Sequence, residues 1–297
     1  MLNRNSLFLL ISILFWGFSF VAIKVALYEV SPVEMIAVRF LLASVTLFII
    51  IKAKGLPFKT PHKRFKLLLA AFIVFLHFWI MAVGMKETAA SSAAWILAAA
   101  PIFVALLANY YLKETLRFSQ WGGLMLAFAG VFILTYNGDP ANLGWLDSRG
   151  DLLLLASCGT WALYTVGTRD ITREVHPLVA TFWMVTIAGL VFVPYTLFTT
   201  GFEKFLTLQG KTYLSLVFLG VFCLAIAFWL WSEGLKRSKA AEVSVFLYVE
   251  PLVAMFAGWW LLSERITVWL LLGAVLISLG VYLSEKFSKI KPIGQTS

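Results

Sequence analysis

Residues 240–262 read AAEVSVFLYVEPLVAMFAGWWLL, and this stretch decides the fold class. Its length suits a helix that crosses the hydrocarbon core of a bilayer, and its only two charged side chains are Glu242 and Glu250. An acidic side chain near the middle of such a helix costs about 2.5–3.5 kcal/mol on insertion scales. Glu250 is therefore expected to face protein or water and not lipid.

Further apolar blocks of similar length follow one another along the 297-residue chain, which is 61% apolar, 16% aromatic and 13% charged. An ordinary soluble domain is roughly 45–50% apolar and roughly 25% charged, so the composition excludes an ordinary soluble enzyme and a disordered chain. The predicted membrane spans are 6–24, 32–51, 67–85, 88–112, 119–136, 151–168, 177–199, 212–232, 240–262 and 267–285. We predict an all-α integral membrane protein with ten transmembrane helices and no soluble catalytic domain. The first span is too long for a cleavable signal peptide.

The chain repeats itself at an offset of 150 residues. Positions 84–133 and 234–283 share 11 identities in 50 positions, among them Pro101 with Pro251 and Glu114 with Glu264. Each copy holds five spans, and an odd number places the second copy upside down in the membrane. Such inverted repeats around a central cavity are typical of secondary transporters. The predicted organisation is a first five-helix repeat at 1–136, a linker at 137–150, a second, inverted repeat at 151–285 and a cytoplasmic basic tail at 286–297.

The net charge of +9 is distributed as an orientation signal. With the N-terminus in the cytoplasm, the segments inside carry 17 Lys and Arg residues and the segments outside carry 6. This positive-inside bias predicts that both termini are cytoplasmic. It also argues against nucleic-acid binding, and the absence of a transit peptide favours a prokaryotic inner (plasma) membrane.

Several motifs resemble those of the EamA-type branch of the drug/metabolite transporter superfamily, and the resemblance covers nearly the whole chain in two copies. The motifs are Phe15-Trp16-Gly17, Ala22-Ile23-Lys24, Arg39-Phe40-Leu41, Ala100-Pro101, Leu112-Lys113-Glu114, Leu247-Tyr248-Val249-Glu250-Pro251 and Leu262-Ser263-Glu264-Arg265. In span 6, Gly159-Thr160-Trp161-Ala162 stands where span 1 has Trp16-Gly17. The resemblance implies a ten-helix fold, a cavity lined mainly by spans 1, 3, 4, 6, 8 and 9, and transport of small metabolites, often amino acids and often outward.

Glu250 is the most informative single position, because its counterpart in the first copy is Ala100 and the repeat itself does not require the charge. Three functional roles stay open at this stage: a proton carrier, a binder of a substrate ammonium group, or both. The alternative is a structural carboxyl at a helix break.

Pro101 and Pro251 fall near the middle of their spans and are candidate helix breaks and gating points. Each proline lacks an N–H, so the carbonyls of Leu97 and Leu247 lose their usual helical partners. At membrane depth such carbonyls are tolerated where they line a cavity or find other donors. The sequence leaves open whether these prolines are packing kinks, hinges or part of the cavity wall.

The candidate substrate-binding residues are those whose rings or charge lie deep in spans that the resemblance places around the cavity: Trp16, His77, Trp95, Trp161, Tyr164, Tyr248 and Glu250. Their aromatic rings can hold a flat or cationic solute, and His77 can titrate near neutral pH or donate a hydrogen bond. For each of them, packing in the protein interior is the alternative. Trp145, Trp231, Trp259, Trp260, Trp269 and Tyr282 are predicted to lie in the interfacial belt or in ordinary packing.

Other polar and small residues have structural interpretations. Arg39 is expected to be structural and to pair with Glu34 or Glu29, while Ser31-Pro32-Val33-Glu34 reads as a helix capping box. The glycine pairs Gly123/Gly130 and Gly273/Gly280 predict close helix packing. Glu114 and Glu264 are predicted to be solvated carboxylates at helix ends, with a gate or a loop anchor as the alternative. Cys158 and Cys223 are expected to be buried free thiols.

Three functions compete: a secondary carrier, a channel or lipid-moving protein, and a membrane-embedded enzyme. The sequence contains no GxxxxGK[ST] loop, HExxH or GxSxG motif, so an enzyme and nucleotide hydrolysis are disfavoured. We predict a secondary carrier, most simply an exporter of amino acids or related compounds working by alternating access. The predicted partners are a small-molecule substrate, the lipid bilayer and, as one option, a coupling proton. No cofactor or metal is expected, and the chain is predicted to be a monomer or a weak homodimer.

Overall fold

The computed structural model describes residues 4–62, 64–87, 96–136, 138–140, 148–201, 203–262 and 267–288, and in this part of the chain all regular structure is helical. The helices are α1 (Arg4–Ala26), α2 (Pro32–Ala53), α3 (Arg64–Glu87), α4 (Ala100–Leu112), α5 (Phe118–Tyr136), α6 (Arg149–Glu174), α7 (Pro177–Thr200), α8 (Gly210–Arg237), α9 (Ala240–Ser244), α10 (Glu250–Leu262) and α11 (Val268–Ser288). The middle of α8, Phe218–Ile226, is π-helical, and a 3₁₀ segment, Val245–Val249, joins α9 to α10.

Seven of the described helical segments are long and apolar enough to cross a membrane: α1, α2, Arg64–Met85 of α3, α5, α7, α8 and the segment Ala240–Leu261. Two shorter apolar helices, Ala100–Leu112 and Val268–Ser284, accompany them. The protein is thus an all-α, multi-pass membrane protein. The 26-residue α6 is more polar and carries buried threonines along one side.

The predicted spans overlap these helices closely. Of span 88–112, the structure describes 96–112, and its helix begins at Ala100. Span 240–262 is confirmed as a helical segment, but it is divided into α9, the 3₁₀ segment and α10. The ten-helix count and the inverted arrangement stay predictions at this point.

Glycines let α5 and α11 cross with their backbones in contact, as their spacing predicts. A Cβ atom added to Gly123 would lie 2.7 Å from the Gly280 carbonyl oxygen, and one added to Gly273 would lie 2.7 Å from the Gly130 carbonyl oxygen. Any side chain at these positions would push the helices apart, so the crossing depends on the glycines. The prediction of close packing is confirmed.

The first helices pack mainly on later ones. Contacts join α1 to α8 and α10, α2 to α7 and α8, α3 to α6 and α7, α4 to α6 and α9, and α5 to α11. The core therefore lies where residues 4–136 meet residues 148–288. The candidate site is found in this shared core.

Candidate functional site

Seven rings from four helices meet in the core, and we call them the aromatic cluster: Trp16 of α1, His77 and Phe78 of α3, Trp161 and Tyr164 of α6, and Phe228 and Trp231 of α8. The rings of Trp16 and Trp161 lie 5.5 Å apart between centroids, nearly perpendicular. The Trp231 ring lies 5.2 Å from that of Trp16 and 5.9 Å from that of Trp161. These separations are those of attractive edge-to-face and tilted aromatic pairs.

Four predicted site residues are therefore brought together: Trp16, His77, Trp161 and Tyr164. The His77 ring lies 5.4 Å from the Trp161 ring, and the Tyr164 ring lies 5.3 Å from it. Trp161 is central to the cluster. Trp161 of span 6 and Trp16 of span 1 are in edge-to-face contact.

The cluster is not fully satisfied by hydrogen bonds. Trp16 Nε1 donates to the carbonyl of Cys223 at 2.9 Å. In the part of the chain that is described, Trp161 Nε1 and Trp231 Nε1 are buried with no hydrogen-bond acceptor. Buried indole N–H groups usually have a partner, so two unpaired donors in one cluster are available to a ligand or to water.

His77 is held against α6 by two polar contacts. Its Nδ1 lies 3.2 Å from the Ser157 carbonyl oxygen and 3.1 Å from Thr160 Oγ1. A carbonyl oxygen can only accept, so Nδ1 carries the hydrogen, and in the neutral ring Nε2 is left as an acceptor. His77 is thus a fixed interior histidine that presents its second nitrogen.

Two helix breaks lie beside this core, each just before a proline. At the first break, residues 98–101, a turn precedes Ala100, and Pro101 is in the first turn of α4. At the second break, residues 245–251, the 3₁₀ segment ends and α10 begins at Glu250, with Pro251 next. The sequence predicted a helix break at both prolines, and the structure has one at each.

The carbonyls freed by the prolines find other donors. The Leu247 carbonyl accepts from the Glu250 N–H, and the Leu97 carbonyl lies 3.8 Å from the thiol of Cys158. Ser244 Oγ donates to the Pro101 carbonyl at 3.5 Å, so the residue just before the second break contacts the first break. At each break, therefore, the carbonyl that the proline frees has another hydrogen-bond donor.

Glu250 and Tyr248 lie at the second break and are poorly partnered. Among the described residues, the Glu250 carboxylate has no hydrogen-bond donor or basic partner, and the buried Tyr248 hydroxyl has no hydrogen bond. Gly17 holds α10 against α1, because a Cβ added there would lie 2.4 Å from Val253 Cβ. Val253 is one turn beyond Glu250 and Gly17 follows Trp16, so α10 packs against the part of α1 that carries Trp16. Trp95, the remaining candidate, lies outside the described residues.

Two interpretations from the sequence are wrong. Arg39 pairs with neither Glu34 nor Glu29: Glu34 binds Lys204 Nζ at 2.6 Å, and Glu29 accepts from the Gln209 N–H at 3.2 Å. Trp231, for which the sequence left the interfacial belt and ordinary packing open, is fully buried in the aromatic cluster. Trp259, Trp260, Trp269 and Tyr282 are exposed on the outside, as predicted, while Trp145 lies outside the described residues.

Glu114 is the second correction, because it is 5% exposed and not a solvated helix end. It forms an ion pair with Arg169 of α6, and its Oε2 accepts from the Ala240 N–H at the start of α9 at 2.8 Å. Glu114 thus ties the ends of α4, α6 and α9 together. Its predicted counterpart Glu264 is not among the described residues.

The two ends of the bundle carry separate polar networks. At the Glu34 end, the Ser31 capping box is confirmed, and Glu34 Oε1 also accepts from Thr200 Oγ1 at 2.8 Å. At the Glu114 end, Lys66 pairs with Asp170. Burial lowers the pKa of His176 there, although nearby Glu233 acts in the opposite direction. The Nε2 of His176 lies 4.0 Å from Glu233 Oε1.

A pocket of about 240 Å³ opens at the Glu34 end between α2, α3 and α7. Trp79, Phe192 and Tyr195 form its apolar wall, and Glu34 and Thr200 form its polar rim. Sequence reasoning did not predict it. No group of three or more His, Cys, Asp or Glu residues that could hold a metal ion occurs in the described part of the chain, and both cysteines are buried free thiols there.

Comparison with known proteins agrees with this architecture. The model of the EamA-like transporter family matches residues 4–136 and again residues 148–285. An uncharacterized transporter of Archaeoglobus fulgidus is 30% identical over 280 residues, covering 93% of this chain and 96% of its own. A probable amino-acid metabolite efflux pump of Escherichia coli is 26% identical over 291 residues, covering 96% of this chain and 95% of its own.

A crystal structure of another protein superposes with a TM-score of 0.81 over 96% of this chain and 97% of that one. The two sequences are 19% identical, so this likeness shows a shared fold and nothing further. The matched family and these named relatives are transporters and not enzymes.

Proposed function

The chain belongs to the EamA-like transporter family, and on this premise we propose that it is a secondary active transporter that exports amino acids or related small metabolites across the plasma membrane. The observation that carries the proposal is the aromatic cluster with its unpaired indole donors, next to an unpaired carboxylate at a helix break. Such a site offers a ring face, hydrogen-bond donors and one negative charge. It suits a small solute with an apolar body and an ammonium group.

We propose that the transport cycle is alternating access between two inverted five-helix halves. The family model matches twice, over 4–136 and 148–285, which supports two copies. The crossing glycines support inversion: Gly123 and Gly273 are counterparts at the offset of 150, yet Gly123 meets Gly280 and Gly273 meets Gly130. Counterpart helices that cross in this exchanged way run in opposite directions.

The helix contacts have the same twofold pattern. If each span is matched with the span at the same place in the other copy, helices α1, α2, α3 and α4 correspond to α6, α7, α8 and α10. The contact of α3 with α6 then corresponds to that of α8 with α1, and both contacts occur. In the same way the contact of α1 with α10 becomes that of α6 with α4, and that of α2 with α8 becomes that of α7 with α3. A fold that maps onto itself in this way supports two states of similar energy, which alternating access needs.

Within this site we assign substrate contact to Trp16, His77, Trp161 and Tyr164 of the aromatic cluster and to Tyr248 and Glu250 of the second break. Trp95 is proposed to line the same cavity from span 4. Glu250 is assigned the ammonium group of the substrate and, between substrates, the coupling proton. Pro101 and Pro251 are proposed as the points about which the halves of their spans move.

The proposed orientation has both termini in the cytoplasm, supported by the distribution of Lys and Arg residues. The Glu114 end would then be cytoplasmic and the Glu34 end external. A cysteine placed at Lys59 should react with a membrane-impermeant maleimide only from the cytoplasmic side. Labelling from outside would overturn this topology. We propose a monomer or weak homodimer.

The test of the function is efflux from bacterial cells that produce the protein and are loaded with pooled labelled amino acids. We expect efflux that is faster than in control cells and saturates with internal concentration. It should be lost in Glu250→Gln and retained in Glu203→Gln, which neutralises an exposed carboxylate. Unchanged efflux with the protein present in the membrane would overturn the exporter proposal.

A channel-like pathway for small solutes is the second candidate, since inverted repeats occur in channels as well. The tight inner packing of Trp16, Trp161 and Trp231 disfavours a continuous pore.

A further inference from the structure

Arg39 is a buried charge that the proposed site has not yet used. It lies on α2, where this helix packs against the π-helical segment of α8, and it is 5% exposed. Its guanidinium carbon lies 5.4 Å from the centre of the Phe78 ring. Phe78 is part of the aromatic cluster, so Arg39 borders the proposed substrate site.

No carboxylate of the described chain neutralises Arg39. Glu34, five residues earlier on the same helix, is bound by Lys204 and Thr200. The neighbouring helix α7 and the π-helical segment contain no acidic residue. The only acidic residue of α3 is Glu87, at its last position and nine residues beyond Phe78.

The guanidinium is also short of hydrogen bonds. Its Nε atom is buried and has no acceptor among the described residues. A cation–π contact with Phe78 offsets only part of the loss of hydration. An unpaired charge at membrane depth is costly and is usually found where it serves an ion or a substrate.

Cys223 lies in the π-helical segment against which α2 packs, and its thiol donates to the Phe15 carbonyl at 3.2 Å. The described structure has no ion pair between Arg39 and Glu250. The two groups therefore do not neutralise each other.

We propose that Arg39 binds the carboxylate of the transported molecule, so that the site recognises zwitterionic α-amino acids, with Glu250 binding the ammonium group. This inference rests on the proposed function and narrows its substrate class. A guanidinium presents two parallel N–H donors that match the two oxygens of a carboxylate. A zwitterion supplies both missing counter-charges at once, and its apolar side chain can lie against the aromatic cluster.

The first test uses three probes that differ only in charge: L-phenylalanine, phenethylamine, which lacks the carboxylate, and 3-phenylpropanoate, which lacks the ammonium group. Binding to the full chain in nanodiscs is followed by tryptophan fluorescence, because Trp16, Trp161 and Trp231 surround the site. We expect phenethylamine to bind at least about tenfold more weakly than L-phenylalanine.

The second test uses variants of the charge. Arg39→Gln should weaken L-phenylalanine binding at least about tenfold and leave phenethylamine within about twofold. Arg39→Lys should be intermediate, because it keeps the charge and loses the two-pronged geometry. The matched control is Lys24→Gln, which removes an exposed cation from the last turn of α1. This variant should bind like the wild type.

Three results would overturn the inference. The first is equal binding of L-phenylalanine and phenethylamine by the wild type, and the second is equal weakening of all probes by Arg39→Gln. The third is the absence of any fluorescence response to every common amino acid at saturating concentration. The proposed function fails differently: carboxylate-dependent binding without efflux from loaded cells would reject export and leave the role of Arg39 intact.

Discussion

The first and second helix breaks share a backbone design and differ in chemistry. In both, a helix restarts one residue before a proline, at Ala100 in the first and at Glu250 in the second. Proline fits the first turn of a helix, where its missing N–H would have no partner in any case. The first break forms without a charge, so Glu250 is not needed to build the second.

The surroundings of the two breaks differ as well. The first break contacts α6 and α9 through the Cys158 thiol and the Ser244 hydroxyl. The second break lies beside α1, where Gly17 packs against Val253, and its carboxylate has no ion pair among the described residues. The comparison teaches that the break can form without a charge, so the proposed transport role of Glu250 is separate from its place in the break.

The largest expected effect comes from removing this charge. Glu250→Gln should lower amino-acid transport about 100-fold, a loss near 2.7 kcal/mol, while the protein stays folded. Transport in proteoliposomes across a range of pH measures it. The matched change at the first break, Ala100→Ser, should keep transport within about twofold. Wild-type rates and pH dependence in Glu250→Gln would remove the distinction between the two breaks.

A smaller effect is expected from Glu114, which ties α4, the helix after the first break, to α9, the helix before the second break. Glu114→Gln removes the ion pair to Arg169 and should lower the free energy of unfolding by about 2 kcal/mol, because it leaves a largely buried guanidinium unpaired. The double variant Glu114→Gln with Arg169→Gln should lose less than the sum of the single losses. Additive losses in thermal unfolding would show that the two side chains act independently.

The glycine crossing tests whether the two halves that hold the breaks fit together as the contacts indicate. Gly130→Ala should destabilise the protein by about 1–2 kcal/mol, since the new Cβ would lie 2.7 Å from the Ile277 backbone nitrogen. Gly122→Ala on the same helix meets nothing within 4 Å and is the control. Equal melting temperatures for the two variants would contradict the crossing.

The smallest effect is expected from the prolines themselves. Pro251→Ala restores an N–H that can donate to the Leu247 carbonyl, and this changes the direction of the Glu250 side chain. The transport rate should therefore fall several-fold, which corresponds to about 1 kcal/mol in free energy. Pro101→Ala restores the same type of bond beside an uncharged residue and should change transport less. A larger loss in Pro101→Ala, measured in the same assay, would place the critical movement at the first break.

Local chemistry was readable from the sequence. The span lengths, the Ser31 capping box, the glycine spacing and the prolines each depend on neighbours along the chain, and the described helices follow them. These features rest on short-range geometry and on the thickness of the bilayer.

The sequence does not reveal which side chains contact one another across the helix bundle. The helices are apolar on nearly every side, so their sequences do not mark the face that turns inward. The sequence leaves Trp231 between the interfacial belt and ordinary packing, and the structure has it in the aromatic cluster against Trp16 and Trp161. Nearness along the chain suggests Glu34 or Glu29 as a partner of Arg39, whereas Glu34 pairs with Lys204, 170 residues away.

The most direct test of the account is counterflow in proteoliposomes that contain unlabelled amino acids inside and trace labelled amino acids outside. A carrier that exposes one site alternately to each side predicts transient accumulation of label above equilibrium, saturable with substrate, present in Glu203→Gln and absent in Glu250→Gln. Uptake that only equilibrates, at the same rate with and without internal amino acids, would contradict alternating access and indicate a channel.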